Sequence, residues 1–327
     1  MKIFDAAATR AELPFDRLIP ALREMFASGC EVPIRHLHQI AGGDRGPVTS
    51  LLMPAWLPGR YYGVKIVNIA PANAARGLPG LHSSYLLFNA TTGAPIAMVD
   101  GDEITWRRTA AASALAASWL AREDASELLV VGAGRVARLL PAAYRVVRPI
   151  ARVRVWARVP AKAEALVRQW RDQGFDARSA GDLDAAMAAA DIVSCATLAT
   201  EPLLRGRSLR EGTHLDLIGS FTPTMREADD ACLAGAALYV DTDEALTKSG
   251  DLIGPMLRGV ITPASVRGTL TSLARGEAPG RLSPDERSVF KSVGTALEDL
   301  AAAMLVLKLG ADNSCTASSP IFRTGAR

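Results

Sequence analysis

The segment Leu128-Leu129-Val130-Val131-Gly132-Ala133-Gly134-Arg135-Val136-Ala137 is an apolar run of strand length that turns through two glycines into a stretch able to continue as a helix. A tight strand-to-helix turn needs Gly132 for its backbone angles, Gly134 lets the main chain approach a ligand closely, and Ala137 keeps helix and sheet together. The following helix start offers free N–H groups and the positive end of its dipole, which suits phosphate. A second apolar strand, 152–156, follows after a helix-length interval, as a βαβ unit requires. The local pattern points to a dinucleotide site in a doubly wound parallel sheet, with Gly132, Ala133, Gly134, Arg135 and Val136 at the pyrophosphate.

The residue ending the second strand selects the dinucleotide. An NAD site usually places an acid about 20 residues past the turn for the ribose 2′-OH, whereas an NADP site drops the acid and supplies an arginine. Here the stretch reads Val155-Trp156-Ala157-Arg158-Val159-Pro160-Ala161-Lys162, with no acid. Ala157 then lies beside the adenosine ribose, Arg158 can grip a 2′-phosphate with two N–H groups, and Lys162 adds charge. NADPH is the expected cofactor, ahead of NADH.

At 327 residues the chain exceeds one typical domain, and its hydrophobic fraction of 49% is enough for two cores. A net charge of +3 without a dense Lys/Arg block argues against nucleic acid and for a small-molecule substrate. Cys30, Cys195, Cys232 and Cys315 show no CxxC spacing and the histidines no metal-binding pair, so neither a metal site nor a disulfide framework is expected. Cys195 reads as a buried strand residue. Neither a leader-like N-terminus nor an apolar run long enough to span a bilayer is visible, so the expected location is the cytoplasm.

The first hundred residues suggest a short helix over 5–14, an amphipathic helix over 15–28 with Leu18, Leu22 and Phe26 on one stripe, and strands over 49–53, 62–70, 83–89 and 95–100. Asn89 to Gly93 has hairpin-turn composition, so this half should form a largely antiparallel sheet. From Thr105 an alanine-rich helix opens with Arg108 and runs to Leu120. Strands over 127–131, 152–156, 192–195, 214–218 and 237–241 then alternate with helices over 136–147, 161–173 and 183–190, the last begun by Asp182 or Asp184. A late helix over 292–309 packs back on the first domain, and the polar stretch from Asp312 reads as a tail. The expected fold is α/β: a Rossmann domain over 119–295 and a discontinuous α+β substrate-binding and dimerisation domain over 1–118, completed by 296–327.

Three cations stand where an anionic substrate would be met. Arg35 follows Pro33 at the start of the first sheet, Lys65 lies inside the apolar strand Gly63-Val64-Lys65-Ile66-Val67, and Arg108 opens the alanine-rich helix. Alternation puts Lys65 on the face of Gly63 and Val67, so it either reaches water as an edge-strand lysine or meets a buried anion. A cation at a helix start opposes the dipole, which makes an anionic partner for Arg108 attractive.

The succession Met53-Pro54, Gly63-Val-Lys65, Pro71-Ala-Asn73, Gly77-Leu-Pro79, Thr92-Gly93, Asp100-Gly101, Ile104-Thr105 and Arg108-Thr-Ala-Ala resembles the ornithine cyclodeaminase/mu-crystallin family. Gly132-Ala-Gly134, Gly212-Thr-His214, Pro223, Arg226-Glu227, Gly250-Asp251 and Phe290-Lys-Ser-Val-Gly294 continue the match, which covers nearly all of the chain to about Leu309.

The resemblance implies a homodimer whose N-terminal domain supplies the subunit interface and the substrate pocket. It implies that Arg35, Lys65 and Arg108 hold the substrate carboxylate, with Lys65 near the reacting carbon and nitrogen as the proton-transfer group. True cyclodeaminases carry an aspartate two residues after the glycine that ends the strand before Gly219-Ser220-Phe221. Phe221 cannot exchange a proton, which counts against ornithine cyclodeamination; Gly219-Ser-Phe-Thr-Pro223 together with Gly80-Leu-His-Ser-Ser-Tyr85 resembles instead the subgroup that reduces Δ1-pyrroline-2-carboxylate, or its six-membered piperideine analogue, to L-proline or L-pipecolate. His82, Ser83, Ser84 and Phe221 are then candidate substrate contacts, and Thr109, Ala196, Thr197, Gly219, Ser220, Ser292 and Gly294 candidate cofactor contacts. Ornithine cyclodeamination, alanine dehydrogenation and a non-catalytic crystallin-like binding role are the competing readings.

Overall fold

The computed structural model describes residues 1–43 and 46–316. Its strands are β1 Lys2–Phe4, β2 His36–Ile40, β3 Val48–Leu57, β4 Tyr61–Ile69, β5 Leu81–Asn89, β6 Pro95–Asp100, β7 Glu127–Val131, β8 Arg152–Trp156, β9 Asp176–Ser179, β10 Ile192–Cys195, β11 His214–Leu217, β12 Ala237–Val240, β13 Val266–Thr269 and β14 Ser288–Lys291. Its helices are α1 Ala6–Ala11, α2 Phe15–Ser28, α3 Gly101–Leu120, α4 Leu140–Val147, α5 Pro160–Asp172, α6 Leu183–Ala189, α7 Asp230–Leu233, α8 Ala245–Lys248, α9 Gly250–Leu257, α10 Leu270–Ala274 and α11 Ala296–Thr316. No helix among the described residues is long and apolar enough to cross a membrane.

The chain divides into two compact units: Met1–Pro14, Glu31–Ile104 and Asp299–Arg327 in the first, Phe15–Cys30 and Thr105–Glu298 in the second. This differs from the expected cuts at 118 and 296. α2 belongs to the second unit because Arg23 stacks over Trp119, Arg107 stacks over Phe15, and Arg275 donates to the Ala27 carbonyl.

The first unit holds a sheet of order β1-β6-β5-β4-β3-β2, antiparallel from β2 to β6 with β1 added in parallel. Side chains alternate across it. Met53, Ala55, Gly63, Lys65, Val67, Tyr85, Leu87, Ala97 and Val99 are buried on one face. On the other, Leu52, Trp56, Tyr62, Val64, Ile66, Leu86, Phe88 and Met98 are half-buried or exposed. β3 continues through Pro54, beyond its expected end at 53, and pairs Pro54 with Val64.

The second unit is an all-parallel sheet of order β13-β12-β14-β11-β10-β7-β8-β9. Strand order reverses between β7 and β10, and ligands of doubly wound sheets bind outside the strand C-termini at that switch. Asp182 caps α6 by accepting from the Ala185 N–H, as the acidic start suggested. Beneath the crevice Asp216 accepts from Ser113, Tyr144 and Ser194, tying α3 and α4 to β10 and β11; burial pushes its carboxyl up to about 6 against those hydrogen bonds.

Several expectations need correction. α3 starts at Gly101, so Arg108 lies two turns inside the helix and the dipole argument for its anionic partner lapses. Asp100 caps the earlier start by accepting from the Glu103 N–H, and a Cβ at Gly101 would lie 2.6 Å from the Ser83 carbonyl carbon. α4 begins at Leu140 rather than 136, after a 3-10 turn over Ala137–Leu139, with Pro141 in its first turn where no N–H is needed. Ser292 lies outside the late helix, which begins at Ala296 and continues to Thr316, past the expected tail start at Asp312; the rest of that tail lies outside the described residues.

Candidate active site

In the first unit, cross-strand pairing builds a row of side chains on the buried sheet face. Lys65 stands opposite Met53 on one side and Tyr85 on the other, and Tyr85 stands opposite Val99. β4 is an interior strand and Lys65 is 2% exposed, so the water-facing alternative fails. Its Nζ donates to Oδ1 of Asp299 at 2.8 Å and lies 2.7 Å from Oδ2, an ion pair with a fully buried carboxylate of α11. Gly63 is required here because Tyr85 occupies the space of its missing side chain: a Cβ would stand 2.0 Å from the phenol oxygen. Arg35 immediately precedes His36, which pairs with Leu52, one residue from Met53, so it enters the sheet at the Lys65 row. Of the serine-histidine candidates only Ser83 shares the Lys65 face, and its hydroxyl donates to Asp102 at 2.7 Å. His82 and Ser84 pair with Asn68 and Ile66, and strand alternation aims them at the opposite face.

In the second unit Arg108 is buried and pairs with Glu298 at 2.5 Å. Its guanidinium lies across Gly294, whose φ of +77° and lack of Cβ both matter: an added carbon would be 2.6 Å from Nη1. Glu298 and Asp299 were missed as site residues. The available signal was two consecutive acids inside Thr295-Ala-Leu-Glu-Asp-Leu-Ala-Ala-Ala303, since charges in such an apolar stretch persist only when paired.

The glycine turn follows β7 at the switch. Gly132 has φ of +114° and packs so closely that a Cβ would lie 2.5 Å from the Ala196 carbonyl oxygen after β10. Gly134 by contrast has no protein atom within 4 Å of its missing Cβ, open space of the kind a pyrophosphate needs, and Ala137 is buried against the sheet. Arg135 stacks over Trp106, 4.4 Å from the ring centroid, which holds its guanidinium beside the turn. A pocket of about 430 Å³ next to it is lined by Ala133, Gly134, Arg135, Arg138, Lys162 and Gln169 together with Ala165 and Leu166, three cations and no acid. Arg138 had not been singled out. Ala157 is half-buried and Arg158 exposed at the end of β8. These features fit a dinucleotide.

The loops after β10 and β11 are held by buried acids. Glu227 accepts from the Thr197 N–H (2.7 Å), the Thr197 hydroxyl (2.8 Å) and the Gly219 N–H (2.7 Å). Burial pushes its carboxyl up. Ser220 donates to the Met225 carbonyl at 2.6 Å and accepts from the Asp251 N–H, and Asp251 accepts from Glu227 and Ala228. The polar atoms of Thr197, Gly219 and Ser220 thus serve the scaffold, while Leu198 (77% exposed) and Phe221 (45%) project from the same two loops. Ser292 donates its N–H to the Leu217 carbonyl, Gly294 donates to Asp241, and the Thr109 hydroxyl donates to its own helix at Thr105. Cys195 is a buried strand residue whose thiol burial holds well above its ordinary pKa.

Comparison with known proteins matches residues 7–312 to the ornithine cyclodeaminase/mu-crystallin family model. The chain is 46% identical over 268 residues to a Δ1-pyrroline-2-carboxylate reductase of Paracoccus denitrificans, covering 81% of this chain and 85% of that one. Among solved structures it resembles the Δ1-pyrroline-2-carboxylate reductase of Thermococcus litoralis, determined with NADH and L-proline: TM-score 0.90, 31% identity, 96% of this chain and 98% of that one. An archaeal alanine dehydrogenase dimer with bound NAD aligns at TM-score 0.88 and 28% identity, over 96% and 97% of the two chains. A glycine turn at the sheet's switch point, buried cations held by consecutive acids and a match across almost the whole length agree, and the chain belongs to the ornithine cyclodeaminase/mu-crystallin family.

Proposed function

We infer that this protein reduces the C=N bond of a small cyclic imino acid, Δ1-pyrroline-2-carboxylate or its six-membered analogue, to L-proline or L-pipecolate. The observation that carries this reading is Lys65, an ammonium buried within an apolar sheet face, in a chain so similar to imino-acid reductases. The second unit holds a nicotinamide dinucleotide at Gly132, Gly134 and Arg135, and when bound it supplies the hydride for the imine carbon. NADPH is the preferred form, its 2′-phosphate taken by Arg158, Lys162 and Arg138, since no acid stands at the end of β8.

Arg35 and Arg108 orient the substrate carboxylate through charge-assisted hydrogen bonds, which fixes the imine carbon for attack from one side. Lys65 donates its proton to the ring nitrogen as that carbon is reduced, so the product leaves as a secondary amine. Phe221 excludes water and offers no group for deamination. The partly exposed apolar sheet face of Tyr62, Val64, Leu86 and Met98 is the proposed homodimer contact.

The assay is purified protein with Δ1-pyrroline-2-carboxylate and NADPH, followed by loss of reduced-cofactor absorbance, with sedimentation of the same sample giving twice the chain mass. Lys65→Ala should lose about a hundredfold or more in kcat, within the range of positioned general acids. Full activity in that variant removes the lysine from the mechanism. Ammonia release from ornithine, or oxidation of NADPH with pyruvate and ammonia but not with the imine, would replace the reading.

A further inference from the structure

We propose that Asp299 is a positioning residue for the reduction, keeping Lys65 an ammonium and aiming it at the substrate nitrogen. This rests on the reading of Lys65 as proton donor. Both carboxylate oxygens stand within hydrogen-bond distance of Nζ, at 2.8 and 2.7 Å, and the two side chains are 2% and 0% exposed. The partners are 234 residues apart in the chain, so the contact is made by the fold and not by local sequence.

A lysine removed from water has two ways to avoid the cost of its charge: release the proton, or swing its flexible stem to solvent. Asp299 closes both. A buried counter-charge favours the ammonium, and a hydrogen bond to Oδ1 within a close ion pair fixes the end of a flexible side chain. Opposite Lys65 on β3 is Met53, without charge, and opposite it on β5 is Tyr85, whose ring leans over Gly63; the cation Arg35 enters at the same row and disfavours a second positive charge. Asp299 faces the amine from α11.

The role has a chemical consequence. When Lys65 yields its proton to the imine nitrogen, a neutral amine is left beside a carboxylate, and that carboxylate draws a proton back from solvent. The donor is recharged for the next turnover, and Asp299 itself neither gains nor loses a proton over the cycle.

The test uses Asp299→Asn, which keeps size and removes charge, and Asp299→Glu, which keeps charge and displaces it by one methylene. In Asp299→Asn the basic limb of kcat/KM against pH should move down by about one unit or more, and kcat should fall about tenfold or more, with NADPH binding at the wild-type level. Asp299→Glu should restore the limb while kcat stays low. A separate readout needs no turnover: NMR titration of lysine labelled at the side-chain amine, with Lys65 assigned from Lys65→Arg, should show the same downward shift in Asp299→Asn. A folded Asp299→Asn with wild-type limb and wild-type titration overturns the proposal. If that variant does not fold, Asp299→Glu decides, and wild-type kcat in it overturns the aiming role. If wild-type protein reduces no imine, the function falls, while the NMR titration still decides whether Asp299 governs the charge of Lys65.

Discussion

Glu227→Gln is the substitution that most directly tests how the site is held. One buried carboxylate ties the loop after β10 to the loop after β11: Oε1 takes the Thr197 N–H and hydroxyl, and Oε2 takes the Gly219 N–H. The space around it is tight, since a Cβ on Gly219 would lie 2.3 Å from Oε1. Glutamine fills the same volume but turns one acceptor oxygen into a donor. Whichever way the amide is placed, its NH2 faces a backbone N–H, and a buried donor left unpaired costs about 1–3 kcal/mol. Relief of the burial that pushes the Glu227 carboxyl up offsets part of this, which leaves about 1–2 kcal/mol. For a domain of this size that corresponds to a Tm lower by about 2–8 °C. If the cofactor needs both loops in place, the same energy reappears as a dissociation constant for NADPH weaker by about 5–30-fold. Differential scanning calorimetry and titration of reduced-nicotinamide fluorescence measure the two quantities. A variant with wild-type Tm and wild-type Kd would show that these hydrogen bonds do not position the crevice.

Two further outcomes follow from the second unit. If Arg158, Lys162 and Arg138 take the 2′-phosphate as proposed, removing any one of them should weaken NADPH about tenfold or more and leave NADH unchanged, through loss of a charge-assisted contact; equal losses for both cofactors would move the residue to the pyrophosphate. His214 is fully buried with Nδ1 on the Ser288 hydroxyl, and burial, aided by Arg281 and Arg148, pushes its imidazole down to about 3. The unfolded chain therefore binds a proton below its ordinary pKa that the folded chain refuses. Stability from this group is complete above about 6.5 and falls by about 1.4 kcal/mol per pH unit below it, or about 2 kcal/mol by pH 5. Between pH 7 and pH 5 the raised Asp216 carboxyl acts in the opposite sense in wild type and variant alike, so urea unfolding at the two pH values should show the wild type losing more stability than His214→Asn by about this amount, and equal changes in the two proteins would refute it.

How much of this was legible in the sequence depended on whether the determinant was local. The turn at Gly132 and Gly134 was readable because its glycines answer to backbone angles and close approach within a few residues, and the φ of +114° at Gly132 is that requirement met. The face of Lys65 was readable for the same reason, since alternation is a two-residue property. β14 was not: Ser288-Val-Phe-Lys291 is four residues with a serine and a lysine, and it is a strand because β11 and β12 flank it and bury all four. Lys291 survives there by donating to the Leu217 carbonyl at 2.9 Å, with Asp251 at 3.6 Å.

Partners across long sequence separations were out of reach of pattern, yet charge balance constrained them. The sequence left Lys65 free to face water, but once Lys65 and Arg108 are buried each requires an anion, and a chain that buries cations must bury acids to match. The places to look were acids inside otherwise apolar helices, and Glu298-Asp299 in α11 is such a place. The same rule separates the two kinds of cation in this protein. Lys65 and Arg108 are buried against carboxylates and so rely on the fold to compensate charges taken out of water, whereas Arg138, Arg158 and Lys162 are exposed and stay hydrated. Substitutions of the first pair should alter pH dependence and folding together; those of the second group should alter cofactor choice alone.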